Sequence, residues 1–234
     1  MAEEIIVTDL TRFNTGDKVC MAGFSFTSNK IIRPWPYLTQ EICKQFCILP
    51  GTKLCADFTS KNEAAPHNED HDWRNLGKSG VATSEEFLNV LDLTKYPSVA
   101  SGFGVTLAPN QKVIKNEQGT GRSLITIEIV PASIEIIKDR YKLNSLKVNF
   151  CDASNQEFWH LPLTDLGFFR YAQELCAQNK LLELNSFIGN QRRVLLRIGL
   201  SRQYRAQDGR EGYWIQVNGI YTFPEYPKEI RSYE

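Results

Sequence analysis

Between Asn190 and Arg210 the chain places six arginines, Arg192, Arg193, Arg197, Arg202, Arg205 and Arg210, against a single acid, Asp208, with Tyr204 among them and Trp214 just beyond. Guanidinium groups hold phosphates through paired N–H donors, and an exposed indole or phenol offers a face on which a nucleic-acid base stacks for roughly 1 to 3 kcal/mol. Arg193, Arg197, Arg202, Tyr204 and Trp214 are therefore the first candidates for a ligand-binding surface. The same residue types are also enriched where protein surfaces meet, so an internal interface with acid partners is the bland alternative.

A second set lies near the start of the chain, where Val7 to Phe13 reads VTDLTRF and Ile31 to Leu38 reads IIRPWPYL. Arg12, Arg33 and Trp35 would form another patch, with two prolines removing amide donors as at a strand edge. The competing reading is an ion pair from Asp9 to an arginine, fastening the first strand to its neighbour. A third set, His67, Glu69, Asp70, His71 and Asp72, has the types needed for a divalent ion or for general acid and base work. His67, His71 and Asp72 are its candidate metal ligands, although no element is predicted to place them and a solvated loop also fits. Cys43, Cys47 and Cys55 add soft ligands, but the spacing lacks a tight knuckle, and Cys43 and Cys47 fit an apolar helix face with Ile42 and Phe46. No phosphate-cradling P-loop, dinucleotide fingerprint or nucleophile elbow is present, and no cofactor is implied.

Short strands must position these groups. Ser123 to Val130 alternates Ile125, Ile127 and Ile129 with Thr126 and Glu128, and Leu146, Val148 and Phe150 repeat the pattern. Asp152 to Gln156 supplies turn formers before Glu157 to Leu163, so a hairpin is predicted. Thr164 is then positioned to cap a helix through Phe168, Ala172 and Leu175, followed by strands around Val194 to Leu200 and Tyr213 to Val217. In those strands Arg193, Arg197 and Trp214 fall on the face away from the barrel interior. Three strands, a helix and two strands is the order of the OB fold. The first half allows the same order: strands from Glu4, Asp17 and Lys30, a short helix capped by Thr39, a strand from Thr52, a helix with a Thr83 and Glu86 capping box, and a fifth strand over 101–109.

The 234 residues allow one large domain or two small ones, and Lys plus Arg balance Asp plus Glu at 27 each. Without a net positive field, any anion binding must be local, which disfavours a flat, non-specific duplex binder. The acidic N-terminal stretch and the lack of any run near 18 apolar residues give a cytoplasmic protein with no membrane contact, and six irregularly spaced cysteines read as reduced thiols.

The stretches VTDLTRF, KVCMAGFSF with IIRPWPYLT, and YWIQVNGIYTFPEYP resemble the dual OB-containing domain family, found in bacterial proteins, some of them associated with anti-phage conflict systems. The resemblance spans most of the chain and implies two OB barrels with a nucleic-acid or nucleotide ligand; it carries no catalytic residues. The sequence thus predicts a mainly β protein of two OB-fold-like barrels in tandem, residues 1–110 and 123–234, joined by a linker over 111–122. The expected function is non-catalytic recognition of single-stranded nucleic acid or a nucleotide, beside a separate effector protein. The rivals are a metal-dependent hydrolase or nuclease built on His67 to Asp72, and a protein-docking adaptor.

Overall fold

A computed structural model describes residues 2–13, 16–142 and 145–231. The first half forms strands β1 (Ala2–Arg12), β2 (Lys18–Ser25), β3 (Lys30–Pro34) and β4 (Leu38–Thr39), helix α1 (Gln40–Gln45), then β5 (Thr52–Ser60) and β6 (Asp70–Val81). Hydrogen-bonded pairs run β1–β2, β2–β3, β3–β6, β6–β5 and β5–β1, so five strands close on themselves, with β3 and β6 parallel and the other pairs antiparallel. Closure removes the open edges that would template aggregation. Ile5, Val7, Val19, Met21, Ile32, Leu38 and Leu54 fill the interior. At the barrel's end Thr39 caps α1 through a bond from the Ile42 amide at 3.2 Å, as predicted.

Two expectations for this half are corrected. The fifth strand is β6 rather than residues 101–109, which instead contribute helix α3 (Val99–Phe103) and an extended loop. Most of β6 is at least partly exposed and rich in polar residues and glycine, so it lacks the apolar alternation that marks a half-buried strand. Cys47 does not share a helix face with Cys43: α1 ends at Gln45, and Cys47 sits exposed with φ 48° while Cys43 is buried. All six cysteines are free thiols.

Helix α2 (Ser84–Leu93) leads to β7 (Lys95–Tyr96), α3 and β8 (Val113–Ile114). The second half then continues with β9 (Leu124–Ile129), β10 (Glu135–Lys138), β11 (Leu146–Cys151), β12 (Glu157–Pro162), helices α4 (Leu166–Ala177) and α5 (Leu181–Gly189), and strands β13 (Arg193–Leu200), β14 (Tyr204–Arg205) and β15 (Glu211–Phe223). Here β9 pairs with β13, β13 with β15, β10 with β11 and β11 with β12. A parallel bridge from Leu163 to Val217 links the end of β12 to β15. Since β9 and β10 are one strand broken at Pro131–Ser133, the OB order recurs, and the protein is a tandem of OB-like barrels. The predicted cap of α4 shifts by one residue: Asp165 accepts from the Phe168 amide at 3.0 Å, while the Thr164 hydroxyl donates to the Val217 carbonyl. The sequence pattern also missed α5 and β10, and β7 and β8 add to the second barrel's sheet from 95–96 and 113–114.

The barrels are welded by a shared apolar layer. Ile6 and Phe24 of the first and Leu195, Tyr221 and Phe223 of the second enclose Phe87, Val90 and Leu91 of α2. That is why β13 is buried on both faces. No described helix is long and apolar enough to cross a membrane.

Candidate nucleic-acid interface

The seam between barrels sorts the predicted arginines into two classes. Arg197 points out of its own barrel, as predicted, but into the first barrel: it is fully buried, its Nη2 lies 2.8 Å from Asp9 Oδ2, and its Nη1 donates to Thr126 Oγ1 at 3.0 Å. The Tyr221 hydroxyl donates to the Thr8 carbonyl alongside. The ion pair foreseen for Asp9 therefore exists, and its partner is contributed by the other barrel. Arg193 is likewise engaged, bonded to Glu128 at 2.7 Å and to Asp92 at 2.8 Å. These bonds raise its pKa and fix it as a strut between β13, β9 and the end of α2. Neither guanidinium is available to a ligand in this conformation.

Arg33 is buried too, but it forms the floor of an opening. Its Nε donates to Asp70 Oδ1 at 2.6 Å, its Nη1 to Ser123 Oγ at 3.0 Å, and its Nη2 to His67 Nδ1 at 3.0 Å. Because arginine can only donate, His67 Nδ1 must accept, so the ring is neutral with its proton on Nε2. Burial, then the charges of Arg33 and Arg202, push its pKa down to about 3. Nε2 is enclosed without a partner of hydrogen-bonding geometry among the described residues, the Ser201 backbone giving only a weak opposing pull.

Above this floor lies a cleft of about 490 Å³ between the barrels. It is lined by five cations, Arg12, Arg33, Lys142, Lys147 and Arg202, and by Phe13, Tyr37 and Tyr204, with no Asp or Glu among its described lining residues. Both barrels supply their loops between first and second strand, with Phe13 from one and Lys142 from the other. They also supply their loops between fourth and fifth strand, with His67 from one and Ser201 to Tyr204 from the other. Those are the loops by which OB folds commonly hold ligands. Arg12 and Arg202, which the sequence assigned to separate patches, thus face one space. Arg202 also bonds Asp70 and the Tyr37 hydroxyl, and lies 5.0 Å from the Trp35 ring, which in turn meets Tyr37 edge-on at 4.5 Å. Arg12 rests over the Phe169 ring at 3.8 Å and pairs with no carboxylate among the described residues. Burial and the nearby charge of Arg170 lower its pKa, the mark of a cation lacking a counter-ion.

A groove of about 460 Å³ adjoins the cleft, sharing Lys147 and Pro162 with it. Lys112, Arg140, Lys147 and Arg210 line it with one acid, Asp139, and Trp214 forms part of its wall. Arg210 lies 4.8 Å over the Trp214 ring, and Tyr204 stands 6.5 Å away. Burial, then the charges of Arg210 and Lys147, lower the Lys112 pKa, so this cluster concentrates like charge. His160 also lines the groove, turned there by a β12 backbone in the left-handed region, φ 59°. A non-glycine residue in that conformation within a strand marks an irregularity that re-aims a side chain.

His71 and Asp72 do not join His67. His71 Nδ1 bonds the Glu69 carbonyl at 2.8 Å, and Asp72 faces solvent near Lys61. Glu69 and Asp70 are occupied by Ser123, Arg33 and Arg202, and no group of three His, Cys, Asp or Glu able to hold a metal is found among the described residues. Sequence reasoning passed over Phe13, Tyr37, Lys112, Arg140, Lys142 and Lys147. The basic run from Lys138 to Lys142, in a turn-forming stretch between two strands, was the available signal.

No protein-family model and no curated protein matches the chain. Among solved structures it is similar to the Ifi202 HINa domain in complex with 20-bp duplex DNA, at 8% identity over 95% of this chain and 94% of that one, TM-score 0.35. It is also similar to a Replication Protein A heterotrimer bound to single-stranded DNA, at 10% identity over 98% of this chain and 50% of that one, TM-score 0.39. A murine DNA-binding protein bound with duplex DNA gives 7% identity over 95% and 97%, TM-score 0.33. At these scores the likeness carries no argument, and the architecture rests on the strand order described above.

Proposed function

We propose that the protein is a non-catalytic recognition module that binds single-stranded nucleic acid or a nucleotide-type ligand in the cleft between its barrels and the adjoining groove. The observation that carries this reading is the cleft itself: five cations and three aromatic rings, no carboxylate among the described lining residues, and loops of both barrels around one opening. Asp70 pairs with Arg33 and Arg202 and Asp139 with Lys147, while Arg12 has no carboxylate partner among the described residues, and clefts with low-dielectric walls focus the field of such a cation. Phosphates would sit against Arg12, Arg202, Lys142 and Lys147, and bases against Tyr204 and Trp214. A cavity of this volume suits one or two nucleotides. The resemblance to the dual OB-containing family extends the proposal to a role beside a separate effector in bacterial defence.

Fluorescence anisotropy with labelled single-stranded DNA, single-stranded RNA and duplex DNA across a salt series, with competing mononucleotides, tests the reading. Binding to single strands should weaken linearly in log salt. Arg12→Ala and Trp214→Ala should each weaken it by about 10-fold, since a lost phosphate contact or stacked base is worth on the order of 1 to 3 kcal/mol. Absence of binding to every probe would refute the proposal.

A further inference from the structure

A second cavity, of about 570 Å³, shares no lining residue with the cleft. It is bounded by Phe24, Asn29, Lys30 and Ile31 around the β2–β3 turn, by Glu69 and His71 at the start of β6, by Leu93, Thr94 and Tyr96 after α2, and by Gly121, Arg122 and Leu124 leading into β9. Three of these side chains carry or can take positive charge: Lys30, His71 and Arg122. Neither Lys30 nor Arg122 pairs with a carboxylate among the described residues. The Arg122 guanidinium lies 4.6 Å from the Tyr96 ring centroid, and its Nη1 is enclosed with no hydrogen-bond partner among the described residues. A buried guanidinium donor left unmatched is costly, and a ligand acceptor removes that cost where a shift of the side chain brings Nη1 to the cavity.

Glu69 is the one acid among the described lining residues and its carboxylate is engaged elsewhere, while Glu3, outside the lining, lies within electrostatic reach of His71. Glu69 is turned away, with Oε1 accepting from the Ser123 amide at 2.8 Å and Oε2 from the Ser123 hydroxyl at 3.0 Å. His71 Nδ1 lies 2.8 Å from the Glu69 carbonyl and must donate to it, which leaves Nε2 for the cavity. The remaining wall is mixed: Phe24, Ile31, Leu93, Tyr96 and Leu124 are its apolar part, and Asn29, Ser60, Asn68 and Thr94 its polar part. Basic side chains, an aromatic ring with a guanidinium over it, and amide and hydroxyl groups in one lining match a molecule with an anionic head and a flat body with polar edges.

We propose that this cavity is a second, independent ligand site, which takes a phosphate monoester. The phosphate is held among Lys30, His71 and Arg122, and the body of the molecule lies against Tyr96, Leu93 and Phe24. The same chemistry is offered by a free nucleoside monophosphate and by the terminal phosphate of a nucleic-acid strand. The site stands apart from the cleft and does not depend on the function proposed for it.

The test is calorimetric titration of the whole protein with a nucleoside 5′-monophosphate, the matching nucleoside and inorganic phosphate, and with an oligonucleotide with and without a 5′-phosphate. Arg12→Ala, which alters the cleft, should leave the Lys30-dependent part of monophosphate binding in place. Lys30→Gln, at an exposed position that does not threaten folding, and Arg122→Gln, which removes the guanidinium over Tyr96, should each weaken it about 10-fold. If the 5′-phosphate tightens oligonucleotide binding and Lys30→Gln abolishes that gain, the source is a strand end; if only the monophosphate responds, it is a small molecule. Monophosphate binding unchanged in both Lys30→Gln and Arg122→Gln, no monophosphate binding at all, or nucleoside binding as tight as monophosphate binding, overturns the proposal. Failure of the cleft alone would show instead as loss of oligonucleotide binding with the Lys30-dependent response intact.

Discussion

Arg197 shows how much a single residue's environment decides. Its sequence neighbours, an alternating apolar strand in an arginine-rich stretch, mark it as outward-facing, and outward from its barrel it does face. The first barrel lies there, so the guanidinium ends in a buried pair with Asp9. Removing one partner of such a pair leaves an uncompensated buried charge, so Arg197→Ala should lower stability by about 3 to 5 kcal/mol. Replacing both, Asp9→Leu with Arg197→Met, should recover much of that loss, and urea denaturation of the single and double variants checks it. His67 gives a second prediction at this scale. Its folded pKa, about 3, lies below the ordinary 6.5, so under acid conditions the unfolded chain takes a proton that the folded one refuses. The stability that His67 contributes is therefore present above pH 6.5 and lost as pH falls towards 3, by up to about 1.4 kcal/mol per pH unit. His67→Gln should flatten that acid slope in denaturation midpoints between pH 7 and 5; an unchanged slope would assign it to other groups.

Among the elements, α2 joins sequence-readable local structure to a tertiary role. Its capping box was visible as Thr83 and Glu86, and both bonds form: the Glu86 amide donates to Thr83 Oγ1 at 3.1 Å and the Thr83 amide to Glu86 Oε2 at 2.8 Å. Thr83→Ala should cost about 1 kcal/mol. Phe87, fully buried between the barrels and edge-on to Tyr221 at 5.0 Å, should cost about 3 to 5 kcal/mol as Phe87→Ala, because it opens a cavity in the shared layer. Equal effects of the two substitutions in guanidinium denaturation would contradict the wedge role of this helix. The hairpin over β11 and β12 and the strands β9, β13 and β15 were legible for the same reason as the box: their signals are local alternation and turn chemistry. Strand β6 was not, because it is held by pairing with β3 and β5 while its own residues are polar.

At the scale of the whole molecule, the barrels share one apolar layer, a buried ion pair between Asp9 and Arg197, and the network of Arg33, Glu69 and Ser123. Two barrels so joined should unfold together. Scanning calorimetry should therefore show one cooperative transition with matching calorimetric and van't Hoff enthalpies, whereas two separable transitions would mean the seam contributes little. The same seam makes the cleft, since Arg12, Phe13 and His67 come from one barrel and Lys142, Lys147, Arg202 and Tyr204 from the other.

Local order determined the strands that alternate, the helix caps at Thr39 and Thr83, and the OB order of the second half, because each depends on residues a few positions apart. The residue types of a phosphate-binding surface were also present in the sequence by themselves. Which arginines face a ligand was decided only by the tertiary structure. Arg193 and Arg197 differ from Arg12 not in their neighbours along the chain but in whether an acid from a distant segment reaches them, while Arg202 is reached by Asp70 and still stays partly exposed at the cleft; both outcomes depend on how the two barrels dock.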